Sequence, residues 1–391
     1  MLAGIYYGAQ YGGSTSAILV NLPGESSSVV TCLDGYQMAR RGRAGPALAT
    51  AAIGSCSAGS VATLVVAMFA PPLAEVALKF GPAEYFSLMV FGLIGAVVLA
   101  SGSVVKAVAM IILGLLLGLI GLDVTSGQGR FTFGIPELAD GIGFVTVSLG
   151  LFGIAEIVTN LERASKHGRD LIQPVHSLMP TREDVRQSWP AVLRGTGVGT
   201  LLGILPGGGA VLASFSAYAL EKKMARDPSR FGKGAIEGVA GPESANNAAA
   251  QSSFIPMLTL GIPSNAVMAL MIGAMMIQGI TPGPQVMTKQ PALFWGIIAS
   301  MWIGNLMLVI INLPLVGMWI RLLKVPYNML FPAVIVFCSI GIYSLNNAVT
   351  DVLFTAGFGI LGYLFVKLGF EAAPLLLGFV LGPLMEENLR R

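Results

Sequence analysis

Charge is scarce in this 391-residue chain: Lys, Arg, Asp and Glu together make up 11% of it, against about 25% in an average soluble domain. So little polar surface excludes both a soluble globule of this size and a disordered chain. Histidine is nearly missing. His167 and His176 fall in one polar stretch, so none lies among the apolar runs, which excludes a rhomboid-like Ser/His pair at membrane depth. Cysteine is sparse: Cys32, Cys56 and Cys338 stand far apart in apolar surroundings, which excludes a disulfide scaffold and any CxxC or zinc pattern. Asp34 and Asp351 carry no motif of an intramembrane aspartyl protease. No GxxxxGK[ST] loop occurs, so the chain does not hydrolyse nucleotide itself, and no enzyme activity, cofactor or metal site is expected. The net charge is only +3, with basic residues grouped in a few connections, which argues against nucleic-acid binding. The N-terminus lacks the pattern of a signal peptide.

Apolar residues are abundant instead, at 54%, with 50 glycines and a mean hydropathy of +0.76. Cutting the chain at its charges leaves neutral runs at 1–24, 44–74, 85–105, 107–122, 141–155, 195–220, 244–288, 290–320, 325–350, 352–366 and 372–385. A membrane span needs about 20 apolar residues. The runs are continuous rather than alternating, so helices rather than barrel strands must satisfy their backbones. The expected fold is an all-α polytopic membrane protein.

Basic residues concentrate at Arg40, Arg41 and Arg43, in the polar stretch 160–194, at Lys222 to Lys233, and at Arg321 and Lys324. The positive-inside bias places all four groups in the cytoplasm. Segment 195–220 has basic groups at both ends, so it must enter and leave by one face. Its middle reads Pro206-Gly207-Gly208-Gly209, the tip of a re-entrant hairpin. A single Pro-kinked span is the competing reading, and it would leave one basic cluster outside.

Run 244–288 is too long for one span and is interrupted by Pro256, Pro263, Pro282 and Pro284. Residues 4–38 share its design: small polar residues, an apolar stretch, a break at Pro23-Gly24, then serines. Overlaying Pro23 on Pro263 keeps the order of features over some forty positions. Arg40, Arg41 and Arg43 follow the first copy and neutral residues the second, so the copies end on opposite faces. Inverted repeats with discontinuous helices build secondary transporters, with a midplane site between the repeats. A chance match of two Pro-broken helices is the bland alternative. The partition expected is a first repeat at 1–159, a cytoplasmic loop at 160–194 and a second repeat at 195–391.

Broken helices expose N–H groups that suit carboxylates and C=O groups that suit small cations. The substrate-binding candidates are therefore Asn21, Pro23, Gly24, Ser26, Ser27 and Ser28 at the first break, and Pro263, Ser264 and Asn265 at the second. Ser14, Thr15, Ser16, Asn246 and Asn247 offer oxygens to a coupling cation. Glu25 and Glu243 are rare membrane carboxylates and candidate coupling groups. For any one small polar residue, helix packing is the competing role.

At these same segments the sequence resembles the large membrane subunit of the tripartite tricarboxylate transporters, the TctA family. The resembling stretches are YYGAQYGGSTSAILVNLPGESSSVVTCLDGYQMARRGRAGPAL at 6–48, GILPGGGAVLASFSAYALEKK at 203–223 and GVAGPESANNAAAQSSFIPMLTLGIPSNAVMALMIGAM at 238–275. The resemblance implies a multi-pass permease of the bacterial inner membrane that takes up citrate-like organic acids by Na⁺ or H⁺ symport. It also implies two partners, a small membrane subunit and a periplasmic substrate-binding protein. Family members begin with a membrane segment bearing a Pro-Gly-rich tip, whereas Met1 here lies just before GAQYGG, which implies an N-terminally truncated chain. An ion or organic-anion channel and a non-transporting scaffold subunit are the alternatives.

Overall fold

The computed structural model of the chain describes residues 1–21, 23–98, 103–123, 128–166, 175, 178–205, 209–322 and 327–390. The first helices in chain order are α1 (Leu2–Val20), α2 (Val29–Arg40), α3 (Ala44–Ala77), α4 (Pro82–Val98), α5 (Val104–Gly118), α6 (Phe144–Ser148) and α7 (Ala155–Lys166). There follow α8 (Arg182–Ile204), α9 (Gly209–Met224), α10 (Glu237–Ser252), α11 (Phe254–Leu260) and α12 (Ala266–Ile277). The last are α13 (Gln285–Lys289), α14 (Pro291–Asn312), α15 (Val316–Leu322), α16 (Tyr327–Asn346), α17 (Val349–Leu368) and α18 (Ala372–Arg390). A π-helical turn, Leu149–Ile154, joins α6 to α7. Among the described residues, strand pairing is confined to Gly121–Leu122 against Gly129–Arg130. Helices α3, α14 and α17 are each long and apolar enough to cross a bilayer. The chain is an all-α polytopic membrane protein.

Its contacts divide it into two compact units that interleave along the sequence. One comprises Met1–Leu78, Asp170–Ser264 and Thr281–Lys324; the other comprises Lys79–Arg169, Asn265–Ile280 and Val325–Arg391. This division differs from a partition at 160–194, because α1–α3 pack on α8–α11 from beyond that stretch. Part of the expected loop is also helix. Thr181 and Asp184 form a capping box, with Thr181 Oγ1 accepting from the Asp184 amide at 3.1 Å, and α8 starts there.

The centre of the first unit is α10, in which every residue from Gly238 to Ser252 is buried. Its side chains are short, so neighbouring backbones can come close. Gly195, Gly199 and Gly203 of α8 recur every fourth residue and face it. A Cβ on them would lie 2.3 Å from the Gly241 carbonyl oxygen, 2.2 Å from that of Ala245 and 2.4 Å from that of Ala249. This is the small-xxx-small seam of membrane helices, where backbone contact replaces side-chain interdigitation. Partner numbers rise together, so α8 and α10 run in the same direction. They fall along the other side: the Tyr7 ring lies tilted against Phe254 with centroids 5.8 Å apart, Thr31 meets Glu243, and Gly35 lies level with Val239. The path α1–α2 is therefore antiparallel to α10–α11.

Helices α8 and α9 fold back on each other as a helical hairpin. Arg194 clasps Glu221 with Nε–Oε1 2.7 Å and Nη2–Oε2 2.5 Å. Gly209 opens α9 with φ 54°, while Pro206, Gly207 and Gly208 lie outside the described residues. Most basic residues of this unit lie at one end, where α2 and α9 stop and α3, α8 and α10 start; Lys289 on α13 does not. Arg43 pairs with Asp184, joining the starts of α3 and α8, and Arg230 pairs with Glu237 at 2.7 Å. At that end Asp34 of α2 is fully buried and accepts the amides of Gly232 (3.1 Å), Gly234 (2.7 Å) and Ala235 (2.8 Å) and the Tyr218 hydroxyl (2.9 Å). Its role is to hold a connection in place.

The second unit repeats the glycine seam. A Cβ on Gly114 or Gly118 of α5 would lie 2.0 Å from the Leu375 carbonyl oxygen or 2.5 Å from that of Phe379, both on α18. Ion pairs Arg390–Asp123 (2.9 Å) and Arg130–Glu386 (2.7 Å) tie the short β-hairpin to the end of α18.

Gly199→Val should separate α8 from α10 and destabilise the protein by on the order of 2 kcal/mol or more. Gly197, one helical face away, has nothing within 4 Å, so Gly197→Ala should leave thermal unfolding in detergent unchanged. Equal melting of both variants with wild type would refute the seam.

Candidate functional site

Helix α1 stops because Asn21 turns left-handed (φ 55°), its amide bonding Ser16 O. Pro23 then cannot continue a helix. Gly24 presses against α1 so closely that a Cβ would sit 2.6 Å from the Gly13 Cα, which only glycine allows. Glu25 is extended and caps the next helical turn, its Oε2 accepting the Ser27 amide at 3.0 Å while its own amide donates to Ser28 Oγ at 3.3 Å. Asn21, Pro23, Gly24 and Ser26 are exposed, whereas Ser27 and Ser28 are buried.

The second break uses the same parts at the same spacing. Gly261 closes α11 in the left-handed region (φ 70°), Pro263 follows, and the extended Asn265 caps α12 by accepting the Met268 amide at 3.0 Å. Asn21, Pro23 and Glu25 thus correspond to Gly261, Pro263 and Asn265. Ser264 is buried and donates to Ser253 O at 3.5 Å. Pro256 marks the interruption expected of it: α10 stops at Ser252, four residues earlier, and Pro256 sits in the first turn of α11, where its missing N–H costs nothing. The division between the two units falls between Ser264 and Asn265.

Inside the first unit the first break meets the polar face of α10. Asn246 Nδ2 donates to Glu25 Oε1 at 3.1 Å, and Ser27 Oγ donates to Gln10 Oε1 at 3.2 Å. Thr31 Oγ1 donates to the Glu243 carboxylate. Asn247 Nδ2 donates to Ser55 Oγ at 2.7 Å and to Glu243 O at 3.0 Å. Ser14 and Ser16 donate back into their own helix, to Tyr11 O at 2.8 Å and Gly13 O at 3.2 Å, and Thr15 is buried.

Of the residues expected from sequence, Glu25, Ser27, Asn246, Asn247 and Glu243 thus come together. Those of the second break that follow Ser264 belong to the other unit. One expectation changes in content: the first amides after Pro23, expected to face a substrate carboxylate, are met by the chain's own Glu25. Thr31, Ser55 and Gln10 complete the network, and nothing in their local sequence distinguishes them from packing residues.

The electrostatics are lopsided. Among the described residues neither Glu25 nor Glu243 forms an ion pair with Lys or Arg. Glu243 Oε2, Ser244 Oγ, Asn246 Oδ1 and Gln251 Oε1 are buried on α10 without a hydrogen-bond partner among the described residues. Buried carboxylates without a cation are strongly disfavoured. A proton or a small hard cation would satisfy these oxygens.

The family model described as "Tripartite tricarboxylate transporter TctA family" matches residues 1–377. The "Uncharacterized 52.8 kDa protein in TAR-I ttuC' 3'region" of Agrobacterium vitis is 63% identical over 392 residues, covering all of this chain and 78% of that protein. The "Uncharacterized protein in TAR-II ttuC' 3'region" of the same organism is 68% identical over 193 residues, covering 49% of this chain and 80% of that protein. No solved structure matches.

Proposed function

The chain belongs to the tripartite tricarboxylate transporter TctA family, and from that premise we propose that it is the permease subunit of a secondary transporter that takes up tricarboxylates or related organic acids by Na⁺ or H⁺ symport. A small membrane subunit and a periplasmic binding protein complete the system in the bacterial inner membrane. The end of the first unit that gathers the basic residues faces the cytoplasm.

One observation carries this reading: a wholly buried helix brings Glu243 and Asn246 against Glu25 at a helix break, with acceptor oxygens left over. The coupling cation binds among Glu25, Glu243, Asn246 and Asn247, with the Ser14–Ser16 oxygens nearby. The substrate's carboxylate binds at the first break, where Glu25 now holds the Ser27 amide, among Asn21, Pro23, Gly24, Ser26 and Ser28, with Pro263 and Ser264 contributing from the second copy. Glu25 makes the two events interdependent. While its carboxylate is free it occupies the Ser27 amide; once a proton or cation neutralises it, that amide is released to a substrate carboxylate. Anion and cation then bind together, which is what symport needs.

The test is uptake of radiolabelled di- and tricarboxylates into proteoliposomes holding the chain with its partner subunits. Wild type should accumulate substrate under an imposed Na⁺ or pH gradient and lose accumulation when the gradient collapses. Flux indifferent to both gradients would mark a channel, and no flux a scaffold. Glu25→Gln should cut gradient-driven accumulation at least tenfold while counterflow exchange persists. Asn247→Ala, which leaves Ser55 Oγ without its donor, should abolish uptake in a protein that still inserts. Wild-type accumulation in both variants would overturn the coupling assignment.

A further inference from the structure

A second polar cluster lies between α1 and α14, and its surplus is of the opposite kind. Tyr7 and Tyr11, one helical turn apart, face α14, and Tyr11 donates its hydroxyl to Asn305 Oδ1 at 3.3 Å. The Cys56 thiol also lies within hydrogen-bond reach of Tyr11. Tyr7 is 1% exposed, Tyr11 2% and Asn305 1%. Glycines bring these helices together. A Cβ on Gly59 of α3 would sit 2.8 Å from Asn305 Oδ1, and one on Gly304 would sit 3.5 Å from the Tyr7 ring. Yet the Tyr7 hydroxyl and Asn305 Nδ2 are buried without a partner among the described residues. An amide NH₂ can only donate, and a phenol is foremost a donor. Leaving two such groups unpaired at membrane depth is costly unless a ligand supplies acceptors.

Resting on the transporter reading above, the geometry points to Tyr7, Tyr11 and Asn305 as a second carboxylate subsite, which holds a further carboxylate or hydroxyl oxygen of a polycarboxylate whose first carboxylate is bound at the helix break. A di- or tricarboxylate needs more than one anchor, and the amides of one break serve one carboxylate. Gln10, between the two tyrosines in sequence, accepts from Ser27 of the break, so the clusters lie at one level of α1. Glu243 acts electrostatically on Tyr11, so a cation held at Glu243 would stand beside the bound anion and offset its charge. The three groups are closed off from solvent, so α1 or α14 must move for the anion to enter.

The experiment measures uptake of radiolabelled citrate, malate, tartrate and succinate into proteoliposomes of the full assembly, with the best-carried acid then titrated. Tyr7→Phe removes only a hydroxyl. It should raise the half-saturating acid concentration about tenfold, as expected for loss of one hydrogen bond to a charged group. Maximal rate and half-saturating cation concentration should stay near wild type. Asn305→Leu should do the same or more, and Asn246→Ala should move the cation value instead. An unchanged half-saturating acid concentration in Tyr7→Phe, or a loss confined to maximal rate or thermal stability, would overturn the subsite while leaving the transporter reading intact. Absence of wild-type uptake of any of the four acids would overturn both.

Discussion

Everything in the first unit depends on α10 being buried on all sides while carrying Glu243, Asn246, Asn247 and Gln251. A helix with long apolar side chains would fill that space and exclude polar atoms. One made of Gly, Ala, Ser and Asn lets α8 approach until backbone touches backbone, as Gly195, Gly199 and Gly203 do. The hydrogen-bonding groups are then positioned by the helix itself rather than by flexible side chains. In water such a helix would be unstable; within a bilayer its internal backbone bonds and close neighbours are enough.

Two kinds of unmet hydrogen-bonding capacity surround this helix. Acceptors remain on α10 beside the Glu25 break, and donors remain on α1 and α14. Both border α1, the helix that also leads into the break. A folded protein of this size seldom keeps so many buried polar groups unsatisfied without a reason, and complementary surpluses match what an anion and a cation carried together would bring.

Much of this was legible in sequence because charge and proline are rare in it. Glu25 and Glu243 stand out in long neutral runs, and Pro23 and Pro263 mark both breaks to the residue. The matched caps, Asn21 with Gly261 and Glu25 with Asn265, follow from the same overlay. Tyr7, Tyr11, Thr31, Ser55 and Asn305 were not legible. A lone hydroxyl or amide in an apolar helix looks the same whether it packs or binds, and its partner lies far away in the chain, 294 residues for Tyr11 and Asn305. The stretch 160–194 misled for another reason: its charges mark contact with water, which does not exclude helix, and the capping box at Thr181 shows that α8 begins there.

Asp34 constrains which parts can move. By gathering three backbone amides from the segment that leads into α10 and the Tyr218 phenol from α9, it ties α2, which follows the first break, to the central helix and its neighbour. The clasp between Arg194 and Glu221 likewise keeps α8 and α9 together. Helix α1 is held differently, by packing on α2, α3, α10 and α14. Opening the space beside Glu25 and Asn246 therefore costs packing contacts of α1 and leaves the glycine seam of α8 and α10 whole.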